Sequence, residues 1–167
     1  AKRAGIKQQQ KDTPSLMGGP EEMRDYQILE QIGAGGMGIV YRALHKRLKR
    51  EVVIKVLNKK MSDDPSAVLR FEREMEAIGS LNHAHIVAAH DAGEVEGTHY
   101  LVMEYVDGVN VSQLSKRLKQ LSVADACEIV RQTAEALEFA HKQALIHRDI
   151  KPANLMITQQ GVVKVLD

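Results

Sequence analysis

Ile32-Gly33-Ala34-Gly35-Gly36-Met37-Gly38-Ile39-Val40 reads G-x-G-x-x-G-x-V, and the segments on either side of it decide between folds. Tyr26 to Ile32 and Gly38 to Leu44 are short apolar runs broken by charges and glycines, the pattern of strands. Glycines without a Cβ let backbone amides approach phosphate oxygens closely, and Ile32 and Val40 are placed to cover a base. A dinucleotide-binding fold sets such glycines between a strand and a helix, with an acidic residue about 20 positions on. A second strand comes next here, which disfavours that fold. A Walker loop is disfavoured too, because no Gly-Lys-Ser/Thr comes after the glycines.

Farther along, Glu51 to Leu57 forms a third strand of the same kind and carries Lys55 among Val52, Val53, Ile54 and Val56. A lysine with apolar neighbours on both sides either snorkels to solvent or meets an anion. Asp63, Asp64 and Pro65 then mark a helix start, succeeded by Val68, Leu69, Phe71, Met75, Ile78 and Leu81 at helical spacing. Glu74 on that helix is the candidate anion. Ile86 to Gly93 and His99 to Tyr105 read as two further strands, joined by a turn from Glu94 to Thr98. Five antiparallel strands and one helix complete a small lobe.

Past Asp107 and Gly108 the periodicity turns helical, over Val111 to Lys119 and Val123 to Lys142. In the longer helix Ala126, Ile129, Val130, Thr133, Ala134, Leu137, Ala140 and His141 form one stripe. Glu128, Arg131, Gln132, Glu135 and Glu138 form the wet face. Such a helix needs a partner, and little sequence remains to supply one.

His147-Arg148-Asp149-Ile150-Lys151-Pro152-Ala153-Asn154 comes shortly after that helix and sets a carboxylate, an ammonium and an amide at fixed offsets in a short loop. That set suits phosphoryl transfer from a metal-bound nucleotide. His147 is expected to be a packed framework residue and Pro152 a backbone constraint. After a turn from Thr158 to Gly161, a strand over Val162 to Leu166 leads to Asp167. His83 and His85 lack a cysteine partner and read as a turn after the helix rather than as a metal site.

Composition bounds the rest. Apolar residues at 44%, charged residues at 27% and a formal charge of +1 over 167 residues describe a globular chain without a global field for nucleic acid or a membrane surface. The single cysteine, Cys127, excludes an internal disulfide, reads as a buried inert thiol, and fits a reducing, cytoplasmic compartment, a membrane anchor elsewhere in a longer parent staying open. No apolar run approaches the roughly 20 residues of a membrane span. Residues 1–22 hold basic residues, three glutamines, two prolines and a glycine pair with little to bury, and read as a flexible leader. Residues 23–106 would then form the glycine-loop lobe and 107–167 the start of a second, mainly helical one, in an α+β fold.

Together the glycine loop, Lys55, Glu74 and the run from His147 to Asn154 resemble a eukaryotic-type protein kinase, specifically the bacterial serine/threonine group. The resemblance covers Tyr26 to Asp167. It implies a five-stranded antiparallel N-lobe with one helix and part of a helical C-lobe, with ATP and Mg2+ as nucleotide and metal. Its phosphoryl acceptors would be Ser/Thr hydroxyls of proteins. Gly33, Ala34, Gly35, Gly36, Met37 and Gly38 would cover the phosphates, Lys55 would hold the α and β phosphates, and Glu74 would orient Lys55. Val53, where the family usually has alanine, would roof the adenine together with Ile32 and Val40. Met103 would be the gatekeeper, Glu104 and Val106 would offer hinge backbone groups, and Met156 would form the floor. Asp149 would accept or align the substrate hydroxyl, Lys151 would neutralise the transferring phosphoryl, and Asn154 and Asp167 would bind magnesium. Arg148 would dock an activation-loop phosphate.

The resemblance also implies a chain cut at the aspartate of D-F-G, without activation loop or peptide-binding segment. An apolar stripe of a few hundred Å² left bare costs several kcal/mol at ~25 cal/mol per Å², so aggregation and loss of catalysis are expected of this length of chain alone. A nucleotide-binding pseudokinase scaffold stands as the alternative, opposed by the intact Lys55, Glu74, Asp149, Asn154 and Asp167. An antibiotic-kinase-type phosphotransferase typically has glycine where Arg148 stands.

Overall fold

Strand alternation builds the first half of the molecule. In the computed structural model, which describes residues 25–35, 38–57 and 62–166, five antiparallel strands lie in the order β1-β2-β3-β5-β4. They are β1 (Tyr26–Ala34), β2 (Gly38–His45), β3 (Arg50–Leu57), β4 (Ala89–Val95) and β5 (Thr98–Glu104). The leader, Gly36, Met37 and Asp167 lie outside the described residues. Period-2 alternation sends Val52, Ile54 and Val56 to one face with Tyr41, Tyr100 and Val102. It sends Leu57, Leu101 and Met103 to the other, where Phe71 of helix α1 (Pro65–Gly79) packs. Asp64 caps α1 by accepting from Ser66 N at 2.9 Å, and Pro65 supplies the first helical residue.

Two strand boundaries differ from the expectation. The β4–β5 turn is only Glu96 and Gly97, both in the left-handed region at φ 49° and 74°, between the paired Val95 and Thr98. Two such residues close a hairpin whose twist matches its strands, so β4 runs on through Val95. The same segment begins at Ala89 rather than at Ile86. Ile86 instead bridges to Val165 through its neighbours: Val87 N donates to Val165 O at 3.0 Å and Val165 N to His85 O at 2.9 Å.

The second half is a three-stranded sheet, β6 (Gly108–Asn110), β7 (Leu155–Thr158) and β8 (Val163–Val165), with helices α2 (Val111–Leu118) and α3 (Val123–Lys142). Gly108, just ahead of the helical stretch, is the first residue of β6. A Cβ there would meet Ile157 O at 2.1 Å, so glycine is what lets β6 pair with β7. Asn110 and Gln113 form a reciprocal cap on α2, and Ser122 caps α3 through Asp125 N at 3.0 Å.

The buried face of α3 is rotated from the expected stripe. Val130, Ala134 and His141 are exposed, as is Cys127, whose expected burial is corrected. Gln132, expected on the wet face, is buried because its amide serves backbone: Oε1 accepts from Val163 N at 2.7 Å and Nε2 donates to Gly161 O at 3.1 Å. Gln132 lines up with Ile129, Thr133, Ala136 and Ala140, which cover Leu155, Val163 and Val165. No helix among the described residues is long and apolar enough to cross a membrane.

Candidate active site

β3 offers Lys55 on the α1 side of the sheet, and its ammonium forms an ion pair with Glu74 of α1. The two side chains are only 13% and 23% exposed, so each charge depends on the other for the solvation it has lost. The helix position is thereby tied to the strand.

Upstream, β1 and β2 pair as far as Ala34 and Ile39, so the glycine loop is the tip of a hairpin. Its glycines differ in what they do. A Cβ on Gly38 would meet Val56 O at 2.1 Å, whereas one on Gly35 would meet nothing within 4 Å. Gly38 is therefore required by the close approach of β2 to β3. Gly35, whose N–H donates to Gly38 O at 2.9 Å, leaves open space above the loop. Val53, Met103, Val106 and Met156 pack in one cluster, with Val53 and Met103 paired across β3 and β5. Ile32 is 47% exposed on the loop flank, and Val40 pairs with both Gly33 and Lys55.

The loop from His147 to Asn154 is organised by its own polar groups. Lys151 Nζ donates to Asp149 Oδ2 at 2.7 Å, and Asn154 Nδ2 donates to the same oxygen and to Asp149 O, each at 3.0 Å. The Lys151 ammonium, helped by Asn154, holds the Asp149 carboxyl below its usual 3.8. His147 is the frame: its Nδ1 accepts from Asp149 N at 3.2 Å and its Nε2 lies 2.5 Å from Leu166 O. Those two roles define the neutral tautomer that is protonated on Nε2. Leu166 N donates to Asn154 O at 2.9 Å, so both backbone groups of Leu166 are bound to this loop. Arg148 has φ 63°, a left-handed conformation that costs a side-chain-bearing residue about 1–2 kcal/mol. Pro152 opens the short 3-10 turn Pro152–Asn154.

A cavity of about 620 Å³ lies between the halves, where Lys55, Glu74, Met103, His147, Asp149 and Leu166 share the lining with apolar side chains such as Ala77, Ile78, Leu81, Ala136, Ala140 and Leu145. Neither Asn154 nor Met156 lines this cavity; Asn154 O accepts from the main-chain N–H of Leu166, which does, and Met156 packs against the Met103 cluster. Among the described residues no cluster of three histidine, cysteine or acidic side chains forms, and His83 stacks on Phe139 with centroids 5.0 Å apart. Sequence reasoning missed Lys164, which pairs with Glu104 at 2.9 Å. Its signal is the one that singles out Lys55, a lysine flanked by apolar strand residues.

The fold is that of a protein kinase, and the chain belongs to the family described as protein kinase domain, which it matches over residues 26–167. It is 42% identical over 153 residues to serine/threonine-protein kinase PknB of Mycolicibacterium smegmatis, covering 89% of this chain and 24% of that protein. To PknA of Mycobacterium tuberculosis it is 43% identical over 147 residues, covering 85% and 34%. The crystal structure of the M. tuberculosis PknI kinase domain superposes with a TM-score of 0.72 at 35% identity, over 86% of this chain and 57% of that one. The chain thus spans about a quarter to a third of the curated relatives' length.

Proposed function

We propose that this chain carries the nucleotide site and catalytic loop of an ATP-dependent protein serine/threonine kinase. The observation that supports it most is the single cleft shared by the Lys55–Glu74 pair and Asp149. Cationic Lys55 at the glycine hairpin suits the α and β phosphates, with Gly33, Gly35 and Gly38 beneath the triphosphate. Val53, Met103 and Met156 bound an apolar slot for adenine, and Glu104 and Val106 present backbone groups at its edge.

Asp149 is a weak base, because Lys151 and Asn154 stabilise its ionised form. Its role is therefore chiefly to align the acceptor hydroxyl for in-line attack and to receive the proton as the bond forms. Lys151, already beside Asp149, neutralises charge on the transferring phosphoryl. The amide oxygen of Asn154 and the carboxylate of Asp167 are hard oxygen donors that fit Mg2+, which when bound would offset charge on the phosphates.

The test uses the full-length protein with Mg-ATP and a generic protein acceptor. Phosphoserine or phosphothreonine formation that is lost in Lys55→Met and in Asp149→Asn is expected. ATP binding with no transfer under any condition would favour a scaffold, and no ATP binding would reject the reading.

A further inference from the structure

Lys164 stands in β8 between Val163 and Val165, which point into the core at 1% and 4% exposure. Alternation turns the Lys164 side chain to the other face, where 16% of it is exposed. An ammonium so enclosed needs an anion, and Nζ lies 2.9 Å from Glu104 Oε2.

Glu104 is the last residue of β5, beside Met103 and two before Val106. Its carboxylate oxygen also accepts from Ala88 N at 3.3 Å, and its own N–H donates to Ala88 O at 2.9 Å. The ion pair therefore crosses from the five-stranded sheet to the three-stranded one. On β8 Lys164 is paired with Met156, the floor of the apolar slot, while Met103 beside Glu104 is paired with Val53, its roof. One charged bond ties the strand that carries the roof's partner to the strand beneath the floor.

We propose that Lys164 is a positioning residue for nucleotide binding: by holding Glu104 it sets the separation of roof and floor and the angle at which the hinge backbone meets adenine. This rests on the reading of the cleft as an ATP site. A charge-assisted bond is roughly twice as strong as a neutral one, and here it acts with little competition from water. Losing it lets the slot breathe without touching Asp149 or Lys151, so the effect falls on nucleotide affinity rather than on transfer.

The experiment measures KM for ATP and kcat of the full-length protein, with Mg-ATP titration calorimetry and thermal melting alongside. Lys164→Met is expected to raise KM roughly three- to tenfold, as loss of one charged hydrogen bond allows, with kcat within about twofold of the parent. Lys164→Arg should bind ATP nearly as the parent does. The double variant Glu104→Gln, Lys164→Met should cost no more than either single change, because the pair acts as a unit. If Lys164→Met melts below the assay temperature, Glu104→Gln carries the same expectation for KM alone. Unchanged KM in both single variants, an effect on kcat alone, or additive losses would overturn the inference. Failure of the unaltered protein to bind Mg-ATP would instead overturn the ATP reading beneath it.

Discussion

The five-stranded sheet and the loop from His147 to Asn154 are held by different means. In the sheet, Ala43, Val52, Ile54 and Val102 are fully buried, and β3 carries apolar side chains on both faces. In the loop, Arg148, Asp149, Ile150 and Lys151 are exposed, and shape comes from hydrogen bonds among Asp149, Lys151, Asn154 and His147. Packing thus holds the sheet, Lys55 of β3 included, whereas the groups of the His147–Asn154 loop keep their solvent access because polar geometry rather than packing restrains them.

That contrast is broken most directly at its chemical end. Asp149→Asn is expected to lower the rate of phosphoryl transfer about 10²–10⁴-fold while leaving the melting temperature nearly unchanged; a large drop in melting temperature would show that the loop carries stability after all. At the other end, Ile54→Ala should cost about 2–5 kcal/mol in urea unfolding, because it empties a fully buried site. Gln132→Ala lies between the two. It leaves Val163 N without its 2.7 Å acceptor, so a loss of about 1–3 kcal/mol is expected, again measured by urea unfolding.

A gentler probe of the sheet is alkaline pH. Burial, then the Asp91 carboxylate, pushes Tyr26 up to about 12 from 10.0. Folding favours the protonated phenol, so its contribution is complete below pH 10.0 and is lost as pH rises toward about 12. Unfolding free energy measured across that window should fall in the parent and fall less in Tyr26→Phe. The smallest effect is expected on the outer face of α3, where Val130 is 66% exposed. Val130→Ser should shift stability by no more than about 0.5 kcal/mol.

Strands β1, β2 and β3 are legible in the sequence because each is a short apolar run broken by charges or glycines, and α3 is legible in extent because its apolar residues recur at helical spacing. The face of α3 is not. Small and apolar residues lie on two adjacent stripes, and the deciding contact is the bond from a distant backbone group, Val163 N, to Gln132. Ile86 and Val87 mislead for a similar reason. Their apolar character suits β4, but their partner is Val165, far along the chain, and no local pattern names a partner. Within the cleft, Lys55, Glu74 and the loop residues announce themselves as charges in apolar or turn-rich surroundings. Lys164 gives the same signal more faintly, because its strand is only three residues long.

Leu166 accepts from His147 and donates to Asn154 through its main chain alone. Substitution at 166 by anything but proline, which lacks the N–H, therefore leaves both bonds available, and other changes there are filtered by how well the new side chain fills its space. The alignment of Asn154 with the strand that returns beside it is in this way protected from the commonest kind of genetic error.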